Sequence, residues 1–119
     1  MSNILTGKRG EQLAYDHLRA LGYRIIDTNV RTRFGEIDLI AELNEVIHFI
    51  EVKTRIGIGH GKPYEAVNYY KMRHMLHSAQ AYVLQNSLTR HKLSMDVMSI
   101  VLHYDQSVQE LKFFENITQ

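Results

Sequence analysis

Two apolar-rich runs, Glu36–Glu42 and Val46–Lys53, lie so close together that they constrain the fold more than any other feature of the chain. Their β-branched and aromatic residues read as strands, and the short link through Asn44-Glu45 makes them a hairpin. With Asn44-Glu45 as a two-residue loop, Leu43 faces Val46 and the residue numbers of every facing pair total 89. Asp38 then stands opposite Glu51, and Glu36 opposite Lys53. Side chains alternate along a strand, so Glu36, Asp38, Glu51 and Lys53 fall on one face. Facing residues have Cβ atoms ~4.5–5.5 Å apart, where like charges repel. Three arrangements relieve an Asp38–Glu51 pair: a bound divalent cation, a shared proton, or full solvation of both groups.

The cation reading accounts for Lys53 as well. Magnesium is held by one or two carboxylates together with water and phosphate oxygens. An ammonium group beside it could hold a phosphate or orient an attacking water, and stabilise charge that builds up during displacement. Acidic residues plus Lys, in a chain without cysteine, favour a hard oxygen-coordinated ion such as magnesium or manganese over zinc. Glu11 is a third candidate ligand, on the same side of a helix as Ala14, Tyr15 and Leu18. It reads equally well as an acid near the start of a helix, where the dipole favours it.

The remaining chain supplies a frame for this hairpin. Residues 6 to 21 carry helical spacing at Leu13, Ala14, His17, Leu18 and Leu21, with Gly22 at the C-terminal cap position. A short strand follows from Tyr23 to Thr28, then a turn at Phe34-Gly35. Thr54 to Lys62 is a glycine-rich loop. Pro63 suits the first turn of a second helix running to about Gln85, with Val67, Met75, Ala79, Tyr82 and Val83 as its buried stripe. Strands are expected at Leu93–Tyr104 and Leu111–Glu115, with a turn near Asp105-Gln106-Ser107. The order αβββαββ places a helix between the third and fourth strands. That predicts an α/β fold with a mixed sheet flanked by helices. At 119 residues the chain is expected to form a single domain, residues 1–119. The lack of cysteine, of an apolar leader and of any membrane-length apolar run points to a cytoplasmic protein without a membrane partner.

A formal charge of only +1 conceals a segregation. Glu36, Asp38, Glu42, Glu45 and Glu51 occupy a stretch with no Lys or Arg. From Lys53 to Lys92 there are seven bases and one acid, Glu65, with His60, His74, His77 and His91 interspersed. This is either chance along solvated faces or an acidic cation site beside a phosphate-binding surface. In the second case Arg55, Lys62, Lys71 and Arg73 would track a nucleic-acid backbone, with salt-sensitive, sequence-independent affinity. Tyr64, Tyr69 and Tyr70 could stack on unpaired bases or pack over the sheet. The Ile56–Lys62 loop does not match a nucleotide phosphate loop, because Pro63 follows Lys62 where Ser or Thr belongs. His74 and His77 lack a third zinc ligand. Asp96 is expected to reach a backbone amide or an Arg and to play no catalytic part.

The pattern Asp38, then Glu51-Val52-Lys53, resembles the acid, acid-x-Lys signature of the PD-(D/E)xK nuclease superfamily. More closely, Gly10-Glu11, Ala14, Gly22-Tyr23, Asn29, Gly35–Ala41, Phe49–Arg55, Gly61, Pro63, Ala66-Val67 and Lys71 resemble, in order, the YraN family of small bacterial proteins, related in pattern to archaeal Holliday junction resolvases. Ile37 replaces the superfamily's Pro, His60-Gly61 stands where an aromatic often precedes Gly, and Ser94-Met95-Asp96 lacks the usual preceding Arg. The resemblance implies a restriction endonuclease-like core with Glu11, Asp38, Glu51 and Lys53 in the active-site positions. It implies a magnesium- or manganese-dependent endonuclease for branched or otherwise structured DNA, acting as a homodimer. A non-catalytic nucleic-acid-binding module on the same fold is the alternative, and a protein-protein adaptor a more remote one.

Overall fold

The computed structural model describes residues 3–57, 59 and 61–117; Ile58 and His60 of the glycine-rich loop lie outside them. Helix α1 (Asn3–Ala20) leads into strands β1 (Arg24–Thr32), β2 (Gly35–Leu43) and β3 (Val46–Ile56). A short 3-10 helix (Pro63–Ala66), helix α2 (Tyr69–Gln85) and strands β4 (Lys92–Leu102) and β5 (Val108–Phe114) follow. The five strands lie in one sheet in sequence order, antiparallel except for the parallel β3–β4 pair. This is the expected α/β fold with a mixed sheet, and it is compatible with a restriction endonuclease-like architecture. No helix among the described residues is long and apolar enough to cross a membrane.

Local chemistry explains where the elements stop. Gly22, at φ 94°, ends α1 in the left-handed conformation that glycine adopts without steric cost. Gly22 N–H then bonds Arg19 O and Tyr23 N–H bonds Leu18 O, which satisfies two carbonyls at the helix end. Asn44 and Glu45 both have positive φ, 51° and 67°, as a tight hairpin turn of the sheet's own twist requires. The β2–β3 register from Leu43↔Val46 to Leu39↔Ile50 is the expected one. The expected single helix from Pro63 to Gln85 is instead two pieces. Val67 and Asn68 are extended, and the Asn68 side chain accepts Lys71 N–H at 3.1 Å, so α2 starts afresh with its own cap. Val67 therefore leaves the helical stripe, whereas Met75, Ala79, Tyr82 and Val83 are buried as anticipated. β3 also runs past Thr54 to Ile56, because Arg55 and Ile56 still pair with Val101 and Leu102.

The two faces of the sheet bury separate cores. Ala14 and Leu18 of α1 pack with Leu39, Ala41, Ile50, Met98, Ile100 and Leu102. Met75, Ala79, Tyr82 and Val83 of α2 pack with Ile37, Ile40, Ile47, Phe49 and Met95 on the other side. Covered on both faces, β4 is buried along nearly its whole length. Asp96 on β4 is fully buried yet well supplied, accepting from Ser94 Oγ (2.6 Å) and Asn116 N–H (3.0 Å) and pairing with His48 Nδ1 (2.6 Å). It thus reaches a backbone amide, as expected, and is a structural acid.

Helix α1 rests on β3 through its main chain. A Cβ at Gly10 would collide with Thr54 Oγ1 and lie 2.8 Å from Thr54 Cβ. Gly10→Ala is expected to cost ~1–3 kcal/mol by overpacking despite its higher helix propensity, and Thr54→Ala in the same chain to recover part of the loss. Urea denaturation of the single and double variants checks this. Equal stability of Gly10→Ala and wild type would refute the close approach.

Candidate active site at the splayed end of the hairpin

Asp38 occupies the least regular point of the sheet. The β1–β2 pairs Thr28↔Leu39 and Val30↔Ile37 bracket Asn29 and Asp38, and Asn29 sits at φ 51°. On the other side, the β2–β3 pairs end at Leu39↔Ile50, so the expected facing pairs Asp38–Glu51 and Glu36–Lys53 fall beyond the ladder, where the strands part. The Asp38 carboxylate enters the gap and accepts Val52 N–H at 2.7 Å. The inside-outside alternation slips here. Ile37 joins Ile40 in the α2-side core, whereas Leu39 joins Ala41 on the α1 side. The strict period of two expected from Glu36 to Glu42 therefore fails at Asp38, because an unpaired residue resets which face its neighbours take.

The slip opens Asp38 toward α1. Together with Lys8, Glu11, Tyr15, Thr28 and Asn29 it lines a groove of about 420 Å³. Burial pushes the Asp38 carboxyl up to about 7. The charges of Glu11, Glu51 and Glu36 act in the same direction, while the Val52 amide opposes them. Glu11 is also raised, by burial and then by Glu36, with the Asn29 side-chain hydrogen bond and Lys8 opposing. Three acids from α1, β2 and β3 thus act on one half-buried carboxylate.

Glu51 and Lys53 form an ion pair at 3.1 Å. Burial alone would lower the Lys53 pKa. The charge of Glu51, its hydrogen bond with Lys53 and the charge of Asp38 outweigh it and hold Lys53 above the ordinary lysine value. Lys71, from the first turn of α2, is pushed down by the adjacent Lys53 cation and then by burial. Two lysine amines therefore stand side by side next to the acids. Lys53 stays charged, so it suits holding an anion and not removing a proton.

The other expected basic residues are dispersed. Arg55 is exposed and acts electrostatically on Lys71. Lys62 turns to β5, where it pairs with Glu110 at 2.7 Å. Arg73 is exposed on α2 and donates to Tyr69 Oη at 3.0 Å. Tyr64 packs over the sheet against Phe114 and beneath Lys112, whereas Tyr69 and Tyr70 are exposed. Sequence reasoning missed the role of Asn29. Its signal was the residue type, since Asn accepts left-handed backbone more readily than most, but nothing local marked it as opposite Asp38.

Among the described residues, no three His, Cys, Asp or Glu side chains converge as a preformed cation cage. The donors do fit a magnesium-like ion in kind. They are hard carboxylate oxygens crowded closely enough to hinder one another's ionisation, and such an ion needs only one or two protein carboxylates. A raised folded-state pKa means that the folded chain holds the Asp38 proton longer than the unfolded chain. Stability should therefore fall as pH rises from about 4 to about 7 and stay reduced above. Asp38→Asn is expected to stabilise the protein at pH 8 by on the order of 2–4 kcal/mol and to change little at pH 4. Added Mg²⁺ should raise the wild-type melting temperature at pH 8 but not that of the variant. A melting temperature for Asp38→Asn that tracks wild type at both pH values would contradict this electrostatic picture.

The sequence comparisons show the family. The profile of the uncharacterised protein family UPF0102 matches residues 10–100, which span Glu11, Asp38, Glu51, Lys53 and Lys71. A UPF0102 protein of Alkaliphilus oremlandii is 48% identical over 102 residues, covering 84% of this chain and 87% of its own. Another, from Persephonella marina, is 41% identical over 101 residues, covering 85% and 87%. A third, from Clostridium acetobutylicum, is 37% identical over 117 residues, covering 98% and 96%. With its sequence matched nearly end to end by such relatives, the chain belongs to family UPF0102, the YraN family.

Proposed function

We propose that the chain is a cation-dependent phosphodiester hydrolase acting on structured DNA. One arrangement carries this reading: the crowded acids around Asp38 adjoin the neighbouring amines of Lys53 and Lys71. The acids attract a cation and the amines attract an anion. A phosphodiester approached by a divalent ion presents both charges within a few ångströms.

Asp38 and Glu51 would hold the ion, with Glu11 adding a contact or orienting a water from across the groove. When bound, the ion supplies charge on the scissile phosphate and makes a nearby water more acidic. Lys53, kept charged by Glu51, would hold a phosphate oxygen and stabilise charge that develops during displacement. Its ion pair at 3.1 Å fixes the ammonium before substrate arrives, so less ordering remains for the reaction itself. Lys71 and Arg55 would extend the positive surface along the backbone. Val52 N–H fixes one Asp38 oxygen and so sets the orientation of the carboxylate.

The acid-free helix α2, with Lys71 and Arg73 exposed, supports a second reading, a non-catalytic nucleic-acid-binding module on the same fold. One experiment separates the two. Branched and nicked DNA are incubated with Mg²⁺ or Mn²⁺ and wild type, Asp38→Asn or Lys53→Ala, with binding measured in parallel at two salt concentrations. Hydrolysis predicts that wild type cuts, that each variant loses at least about 100-fold in rate, and that Asp38→Asn still binds. Cleavage at equal rates by all three removes the mechanism. Salt-dependent binding without cleavage establishes the second reading.

A further inference from the structure

Helix α2 carries no Asp or Glu along its whole length, and its solvent side is cationic and aromatic. Tyr70, Arg73, His74 and His77 recur at spacings of three and four residues, so they form one stripe. Tyr70 is 73% exposed, and its ring lies 5.9 Å from that of Tyr69. At His77 the stripe meets the β1–β2 turn. The Phe34 ring centroid lies 5.3 Å from that of His77, and the Arg33 guanidinium stands 4.7 Å above the Phe34 ring. A groove of about 680 Å³ runs on between this turn and the second half of α2.

The turn is held in place. Thr32 Oγ1 donates to Gly35 O (3.0 Å), accepts Phe34 N–H (3.1 Å) and bonds Ser78 Oγ on α2 (2.9 Å). Phe34 and Arg33 are thereby positioned against the helix in advance of any ligand. The stripe also begins beside the candidate active site, because Lys71, next to Tyr70 in the first turn of α2, lies near enough to Lys53 to feel its charge.

From this continuity we infer that an unpaired DNA strand leaves the Lys53–Lys71 site along α2, crosses the edge of the His77–Phe34 contact and enters the groove between the Arg33-Phe34 turn and the second half of α2. The inference rests on the hydrolase reading for the position of the cut, and it narrows the substrate to DNA with a single-stranded arm. Cations alone would serve a duplex backbone equally well. Rings at intervals along a basic path, exposed at Tyr69 and Tyr70 and half-buried at His77 and Phe34, serve a strand whose bases are free to stack, and in a duplex those faces are hidden. From Tyr70 to Leu84 the helix rises about 20 Å, enough for at most about six nucleotides at the ~3.4 Å stacked spacing.

The test is fluorescence anisotropy in EDTA, with an oligo-dT of about twelve nucleotides, an oligo-rU of equal length and a blunt duplex of equal length. The wild type should bind oligo-dT at least about tenfold more tightly than the duplex. Tyr70→Ala and Phe34→Ala should each weaken oligo-dT binding by roughly 5- to 100-fold, and Arg33→Ala by less. Tyr70→Phe, which keeps the ring, should bind as wild type does. If Phe34→Ala lowers the melting temperature, the exposed Tyr70→Ala and Arg33→Ala variants decide the question. Duplex binding as tight as oligo-dT, tighter binding of oligo-rU, or ring removal without effect would each overturn the inference. EDTA prevents cleavage, so the two readings fail separately. Oligo-dT preference without cleavage by the metal-loaded protein sinks the hydrolase, and cleavage without that preference sinks the strand path.

Discussion

The hydrogen bond from Val52 N–H to the Asp38 carboxylate is the constraint on which the site depends. A backbone amide at the parting of two strands needs an acceptor, and leaving it unpaired would cost on the order of 1–3 kcal/mol. Asp38 supplies that acceptor from within the gap. The price is a carboxylate taken out of water and surrounded by Glu11, Glu36 and Glu51. The sheet holds a second buried acid, Asp96, which gathers a hydroxyl, an imidazole and an amide. The same residue type is a quiet structural element on β4 and a strained one on β2, and the difference lies in how fully each is supplied with donors.

That strain comes with a counterpart. Lys53 and Lys71 repel each other while each is drawn to the adjoining acids. Elements from three places in the chain meet to make this possible. α1 brings Glu11, the hairpin brings Asp38, Glu51 and Lys53, and the fresh cap at Asn68 starts α2 so that Lys71 falls in its first turn. A continuous helix from Pro63 would have carried Lys71 in its third turn instead. The extended Val67-Asn68 step is thus part of how the site is assembled.

Much of this was legible in the chain itself. The β2–β3 register followed from a two-residue turn and apolar alternation, both local rules. The order of elements and the parallel β3–β4 pair followed from a helix between two strands. What escaped notice was non-local. The slip of alternation at Asp38 arises from Asn29 on a neighbouring strand, and Lys62 finds Glu110 from 48 positions away. Neither partner is marked by spacing. The break before α2 was hidden for another reason: Pro63 is an equally good start for a long helix or a single 3-10 turn, and the capping Asn68 that decides between them sits inside an otherwise helical pattern.

The contact of Gly10 with Thr54 bears on how this site can vary over evolutionary time. Because the helix meets the strand through bare main chain at Gly10, the standoff between Glu11 and the sheet is gauged by the glycine backbone on one side and the Thr54 side chain on the other, and not by any side chain of the helix. The outward residues of α1 can then drift freely without moving the carboxylate. Conversely, no compensating replacement elsewhere on the helix can restore that standoff once the glycine is lost. The helix-borne acid of the groove is thereby tied to a residue with no side chain of its own.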